Sequence, residues 1–120
     1  MNSYSLVRTE HLNHHGYLFG GVMLKWVDEF AWIAASLDYP GCSLVTVAMD
    51  EIAFKERVLN GSILKFHVTK EKQGNTSVTY SVTVYSDEPG ATAEKRVFST
   101  QVTFVRVDDS GNKCPLPLME

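Results

Sequence analysis

Apolar residues recur along the chain with two periods, one typical of a helix and one typical of strands. Residues 20–37 predict the single helix, because apolar side chains recur there at spacings of four, four and three residues. These side chains are Val22, Trp26, Phe30 and Ile33. Other apolar residues between them leave almost no polar side, so we predict a helix that is buried all round. Pro40 and Gly41 end it.

Strand-like segments lie on both sides of this helix. Tyr4–Arg8 is predicted as a short first strand, and residues 9–19 as a loop of unusual length. After the helix, alternating or Val- and Thr-rich segments predict four more strands. These strands are expected over residues 43–54, 63–72, 76–86 and 93–107. Short polar turns with Gly or Asn separate them, which favours antiparallel neighbours.

The order of these elements is strand, loop, helix and four antiparallel strands. A helix this apolar, in a chain of 120 residues, is buried only if the sheet curls around it. We therefore predict an α+β fold in a single domain over residues 1–120, with a turn and a loose tail over 108–120. The same helix indicates that a partner subunit covers part of the surface.

Composition and charge exclude several classes of partner. The net charge is −3 and no long basic run occurs, which argues against nucleic-acid binding. No apolar run reaches the roughly 20 residues that span a bilayer. The two cysteines, Cys42 and Cys114, form no CxxC pattern, so neither a disulfide framework nor a zinc site is indicated. With no signal-peptide pattern at the start, these features predict a cytoplasmic protein.

The candidate chemistry lies where the polar loop meets the helix. Gly20 and Gly21 open the helix, whose first N–H groups have no partner within it and carry the positive end of its dipole. Glycine lets a ligand approach those N–H groups, which would stabilise an oxygen that gains negative charge. A tight turn or close packing would explain the two glycines equally well.

Asp28 and Asn13 are the other candidates for this site. Asp28 follows Gly21 by seven residues, which places both within roughly 20° on one face of a helix. A carboxylate among Trp26, Val27 and other apolar residues would serve as a general base or a nucleophile. The alternative is that Asp28 lies on a narrow solvent-facing side of the helix, where it pairs with a nearby lysine. The Asn13 amide would hold a water or a carbonyl, although a turn-forming Asn is the commoner case.

Three histidines precede the helix and invite a metal-site interpretation. His11, His14 and His15 form an HxxHH pattern without an acidic third ligand at a familiar spacing. We therefore predict no metal.

These residues together resemble the signature of the hotdog-fold acyl-CoA thioesterases, the acyl-CoA hydrolase family. The first match runs from Asn13-His14-His15-Gly16 through Phe19-Gly20-Gly21 to Asp28-Glu29. The second begins at Val45 and ends at Phe54, followed by Gly61, and the third covers residues 102–111. The resemblance extends over nearly the whole chain.

The resemblance implies a hotdog fold, with a sheet of about five strands around the helix, and hydrolysis of a fatty acyl-CoA to a free acid and CoA. It assigns the catalytic positions to Asn13, Gly21 and Asp28, with Gly20 beside them. It also implies a homodimer, in which Asn13 and Asp28 of one site come from different subunits, and further assembly into a trimer of dimers. No cofactor is implied, since CoA is part of the substrate.

One departure from the family and two rival activities qualify this reading. The family usually has Lys-Pro two and three residues after the Phe that matches Phe54, where this chain has Glu56 and Arg57. Lys55 and Arg57 are therefore our candidates for contacts with the CoA phosphates, although a solvated turn explains them too. The rivals are a non-catalytic acyl-CoA-binding hotdog protein and a hotdog hydratase or dehydratase. The latter has a His followed by Pro-Gly, which this loop lacks.

Overall fold

The fold is one α-helix packed against one five-stranded sheet, in a computed structural model that describes residues 1–54 and 56–118. The elements are β1 (Asn2–Leu6), α1 (Gly20–Asp38), β2 (Ser43–Asp50), β3 (Ile63–Gln73), β4 (Ser77–Asp87) and β5 (Lys95–Val107). The strand order is β1-β3-β4-β5-β2, and every neighbouring pair is antiparallel. The predicted α+β class is therefore confirmed, with β1 and β2 at the two edges.

Helix α1 begins at the predicted residue, and its fully buried side chains are centred one residue away from the most periodic stripe of the prediction. The fully buried side chains are Met23, Val27, Ala31, Ala34 and Ala35. The predicted stripe (Val22, Trp26, Phe30 and Ile33) is only half-buried. Three of the five buried residues are alanines, which let the helix lie close to the sheet. Burial all round is wrong for the single chain, since Trp32 and Leu37 are 45% and 67% exposed.

The far end of α1 is tied to the sheet by two buried tyrosines. The Tyr80 hydroxyl on β4 donates to Asp38 Oδ2 at 2.6 Å, and the Tyr39 hydroxyl donates to Gln73 Oε1 at 2.5 Å. Both tyrosines are only 1% exposed. These contacts fix the position of the helix across the sheet, and hence the position of its N-terminus.

The buried Tyr80 hydroxyl is expected to make stability fall in alkaline solution. Burial, and then the hydrogen bond to Asp38, raise the pKa of Tyr80. Because the folded-state pKa lies above the unfolded value, this contribution is present below about pH 10 and is lost as the pH rises above it. Urea midpoints measured from about pH 8 to about pH 11 should therefore fall more steeply for the wild type than for Tyr80→Phe. Parallel slopes would contradict this prediction.

Strand β2 is shorter than predicted, and β1 starts earlier. The predicted strand 43–54 ends at Asp50, because Glu51 has a left-handed backbone (φ 52°), which breaks the extended conformation. The Phe54 ring then stacks on that of Phe98, with centroids 5.3 Å apart. At the other edge, β1 pairs Asn2–Leu6 rather than Tyr4–Arg8 with β3.

The segment after β5 is more ordered than the sequence indicates. The Cys114 N–H donates to the Arg106 carbonyl at 3.0 Å, and the Leu116 N–H donates to the Asn75 carbonyl at 2.8 Å. Leu116 is buried. The described part of the tail therefore packs on the sheet instead of extending freely, because a single apolar side chain and backbone hydrogen bonds anchor it.

Candidate active site

The loop before α1 is held in shape by its own backbone. An isolated bridge joins Leu12 to Leu18, and the Asn13 N–H donates to the Tyr17 carbonyl at 2.7 Å. Gly16 has a φ of 83°, a left-handed conformation that glycine adopts without strain. The Leu18 N–H also donates to the Val58 carbonyl at 2.9 Å. This loop therefore presents Asn13 beside the start of the helix.

The oxygen of the Asn13 side-chain amide is hydrogen-bonded within the loop, whereas its nitrogen is not. Its Oδ1 accepts hydrogen bonds from the N–H groups of His15 at 2.9 Å and Tyr17 at 3.2 Å, as in an Asx turn. Its amide nitrogen has no hydrogen-bond partner among the described residues. The turn that the sequence offered as an alternative is therefore present, and it leaves the two N–H donors free for a ligand.

The N-terminus of α1 also presents free donors. The N–H groups of Val22 and Met23 both donate to the Phe19 carbonyl, and no side chain caps the helix. Within the described residues, the N–H groups of Gly20 and Gly21 have no acceptor. Together with the helix dipole, they form a site suited to an oxygen with negative charge.

Aromatic rings explain why glycine occupies both positions. A Cβ on Gly20 would lie 3.1 Å from Phe54 Cζ, and a Cβ on Gly21 would lie 2.7 Å from Phe19 Cε1. Both rings are about half exposed. The aromatic side chains thus lie beside the first turn of the helix, next to the free N–H groups.

A cavity of about 310 Å³ opens beside this first turn. Its polar lining comes from Asn13, Tyr17, Glu56 and Arg57. Its apolar lining comes from Leu18, Met23, Phe54, Val58 and Val97, and Gly20 contributes backbone. The cavity therefore has apolar walls and a few polar groups, which is the usual composition of a small-molecule site.

Asp28 lies on a different side of the helix from this cavity. It is not among the residues that line the cavity, and its Oδ1 accepts a hydrogen bond from Thr46 Oγ1 on β2 at 2.6 Å. Sequence reasoning missed Thr46, because no periodicity indicates that a strand hydroxyl reaches a helix carboxylate. A single chain thus brings Asn13 and Gly20 together and leaves Asp28 at the edge strand.

Arg57 borders the cavity and is held by Tyr17. Its Nη1 donates to the Tyr17 hydroxyl at 3.1 Å, and its guanidinium lies 4.9 Å from the centre of that ring. Glu56 beside it lies 3.7 Å from Lys95 Nζ. Lys55, the other candidate for phosphate contacts, lies outside the described residues. Arg57 is therefore a cation at the mouth of the cavity.

The histidines of the loop make contacts of other kinds. His11 Nδ1 accepts a hydrogen bond from the Arg8 N–H at 3.0 Å, and its ring meets Trp26 edge-on at 4.8 Å. The rings of His14 and His15 are 3.9 Å apart and exposed. Over residues 1–54 and 56–118, no three His, Cys, Asp or Glu side chains lie close enough to hold a metal ion. In the same ranges, no helix has the length and apolar character needed to cross a membrane.

Comparisons with known proteins agree on one family. The model of the thioesterase superfamily matches residues 15–93. Mouse acyl-coenzyme A thioesterase 11 is 31% identical over 100 residues, which cover 83% of this chain but only 17% of that protein. A hexameric hotdog-fold thioesterase of Campylobacter jejuni is 33% identical with a TM-score of 0.85, over 96% of this chain and 88% of that one.

A second solved structure matches over almost its whole length. The hexameric thioesterase of Yersinia pestis is 26% identical with a TM-score of 0.89, over 98% of this chain and 94% of that one. These structures confirm the predicted hotdog fold. The chain belongs to the thioesterase superfamily.

Proposed function

We propose that this chain hydrolyses an acyl-CoA thioester to a free acid and CoA, at a site that two copies of the chain share. The observation that carries the proposal is the pair of free N–H groups on Gly20 and Gly21, of which Gly20 lines the same cavity as Asn13 and Gly21 is the next residue of the helix. A thioester carbonyl placed there would accept hydrogen bonds that strengthen as its oxygen gains charge. The similarity to mouse acyl-coenzyme A thioesterase 11 supports the same chemistry.

The reaction needs one water and no cofactor. In the proposed mechanism, water attacks the carbonyl carbon while Asp28 of the partner subunit takes its proton. The C–S bond then breaks, the carbonyl re-forms, and the departing CoA sulfur receives that proton. In the alternative route, the carboxylate of Asp28 attacks the carbonyl carbon and the C–S bond breaks, which gives an anhydride and the CoA thiolate. Water then cleaves the anhydride to the free acid and the Asp28 carboxylate, and its proton goes to the thiolate. Asn13 orients the water or the carbonyl, and the Thr46 hydroxyl holds the carboxylate.

The edge of the sheet supports a site that two chains share. Among the described residues, no strand pairs with the outer edge of β2, and its apolar residues Val45 and Val47 are 43% and 54% exposed. An exposed apolar edge strand is a template for pairing with another chain. Because Asp28 bonds to β2 through Thr46, a partner joined at this edge would bring its own Asp28 towards the Asn13 cavity. The exposed edge therefore supports the proposal that pairing with a partner completes the site.

We also propose that the dimers assemble into a trimer of dimers. The similar proteins of Campylobacter jejuni and Yersinia pestis are hexamers, which supports this assembly. A cytoplasmic location stays a prediction from the sequence. Arg57, with Lys55, is proposed to contact the CoA phosphates, because it is the cation at the mouth of the cavity.

Replacing Gly21 by Pro tests the proposed contact with the carbonyl. The substitution removes one N–H donor at a helix position where the chain itself has no use for it. We expect kcat/KM for acyl-CoA hydrolysis to fall by about 10²-fold, as when one oxyanion-hole donor is lost. CoA release is followed with a thiol reagent.

Gly21→Ala is the matched control for that substitution. It introduces the same close approach to Phe19 but keeps the N–H group. Some loss is expected for Gly21→Ala because its Cβ meets Phe19, and a clearly larger loss for Gly21→Pro is the expected pattern. Equal loss in both variants would show that the Cβ, and not the missing donor, is responsible, and would contradict the proposed carbonyl contact.

A further inference from the structure

We infer that Met23 determines which acyl-chain lengths the enzyme accepts, by forming the floor of the cavity beside the helix N-terminus. This inference rests on the proposed hydrolysis and adds the class of substrate to it. The cavity volume of about 310 Å³ lies at the lower end of the roughly 300–1,000 Å³ that ligand sites occupy. Such a volume fits an acyl chain of short to medium length.

The residues that line the cavity distinguish a deep end from an open end. The deep end is formed by Leu18, Met23, Val58 and Val97, all of them buried. The open end carries Asn13 and Arg57. The charged phosphates of CoA are costly to place among apolar side chains, so that end of the substrate points outward. With the carbonyl at the glycine N–H groups, the acyl chain points toward the deep end.

Met23 is the residue of this floor whose position is tied most closely to the reaction. It follows Gly20 by three residues, so it lies about one helical turn below the free N–H groups. It lies roughly 140° around the helix from Asp28, and therefore outside the contacts of the carboxylate. An unbranched thioether has three rotatable bonds and adapts to the end of an aliphatic chain.

The other three floor residues are fixed more firmly. Leu18 and Val58 are joined by a backbone hydrogen bond of 2.9 Å, and Val97 is part of β5. Changing their side chains would disturb the loop or the sheet. Met23 lies on the buried side of α1 and reaches the cavity through a flexible side chain, so its size sets the depth of the cavity.

Two substitutions at Met23 should move the specificity in opposite directions. Met23→Ala deepens the cavity, and each extra methylene buried is worth about fourfold in kcat/KM. We expect the ratio of kcat/KM for dodecanoyl-CoA to that for hexanoyl-CoA to rise about tenfold. Met23→Phe fills the floor, and the same ratio should fall several-fold. Each ratio is measured by thiol release with folded protein, checked by circular dichroism.

Val68→Ala is the control for this series. Val68 is buried on β3 and lines no part of the cavity, so its truncation should lower stability without moving the ratio. If Met23→Phe does not fold, Met23→Ala tests the floor on its own: its ratio should still rise about tenfold, and an unchanged ratio would overturn the inference.

The possible results of the Met23 series lead to different conclusions. Opposite shifts in the two variants support the inference. A ratio that stays constant while KM changes equally for both substrates would show that the cavity holds the pantetheine arm, and would overturn it. If the wild type releases no CoA from any acyl-CoA, the proposed hydrolysis itself fails, which this series detects before any variant is compared.

Discussion

Replacing Asp28 by Asn is expected to lower kcat/KM for acyl-CoA hydrolysis by about 10³-fold, within the range for the loss of a general base. The Asp28 carboxylate lies on α1 beside the edge strand β2 and accepts a hydrogen bond from Thr46 Oγ1 at 2.6 Å. An amide keeps the size and accepts the same hydrogen bond but neither removes a proton from water nor attacks a carbonyl. The measurement is thiol release under conditions where the wild type is not saturated.

Glu29→Gln is the matched control for this prediction. It removes a carboxylate from the next residue of the same helix, whose side chain is exposed. We expect its kcat/KM to stay within about twofold of the wild type, because an isolated exposed charge contributes little. A loss as large as that of Asp28→Asn would show that net charge on the helix matters, and not the carboxylate at Asp28. Full activity in Asp28→Asn would contradict the proposed mechanism.

Co-expression of two inactive chains should restore activity if each site takes residues from both subunits. One chain carries Asn13→Asp, which keeps the Oδ1 acceptor that His15 and Tyr17 require but removes the amide donors. The other carries Asp28→Asn. In a twofold dimer, each mixed pair contains one intact site, so random pairing should give about a quarter of the wild-type activity.

Two observations make the mixed-chain result decisive. Each variant alone should be inactive as a homodimer, and different affinity tags on the two chains allow the mixed dimer to be isolated. If purified mixed dimers are no more active than either parent, the site lies within one chain. The double variant Asn13→Asp/Asp28→Asn, mixed with wild type, provides the second control: each of its mixed sites lacks one of the two residues, so these dimers should be inactive.

The sequence predicted the fold well because local patterns and the fold agree. The helix starts at Gly20 as expected, and the strands after it fall within a few residues of their predicted bounds. The errors have physical causes. Strand β2 stops at Asp50 because Glu51 adopts a left-handed backbone conformation, which the pattern of side chains does not predict. The periodic stripe of larger apolar residues did not mark the centre of the buried face, because three of the five fully buried side chains are alanines, whose small size lets the helix lie close to the sheet.

The candidate site was also predicted only in part. A local motif indicated the Asn13 loop and the glycines, and the structure brings Asn13 and Gly20 to one cavity. Thr46 and Met23 lay beyond sequence reasoning, because their places depend on how β2 and the loop before β3 pack around the helix. The proposed partnership of Asn13 with Asp28 involves two chains, so a single chain would not display it.

The central claim is that this chain cleaves acyl-CoA thioesters by hydrolysis. Its most direct test incubates the purified protein with acyl-CoAs of increasing chain length and measures CoA thiol and free acid in the same samples. We predict equal amounts of the two products, formed at a rate that Asp28→Asn abolishes. Tight binding of acyl-CoA without release of thiol would contradict the claim and identify a binding protein. Consumption of an enoyl-CoA without release of thiol would also contradict it and identify a hydratase.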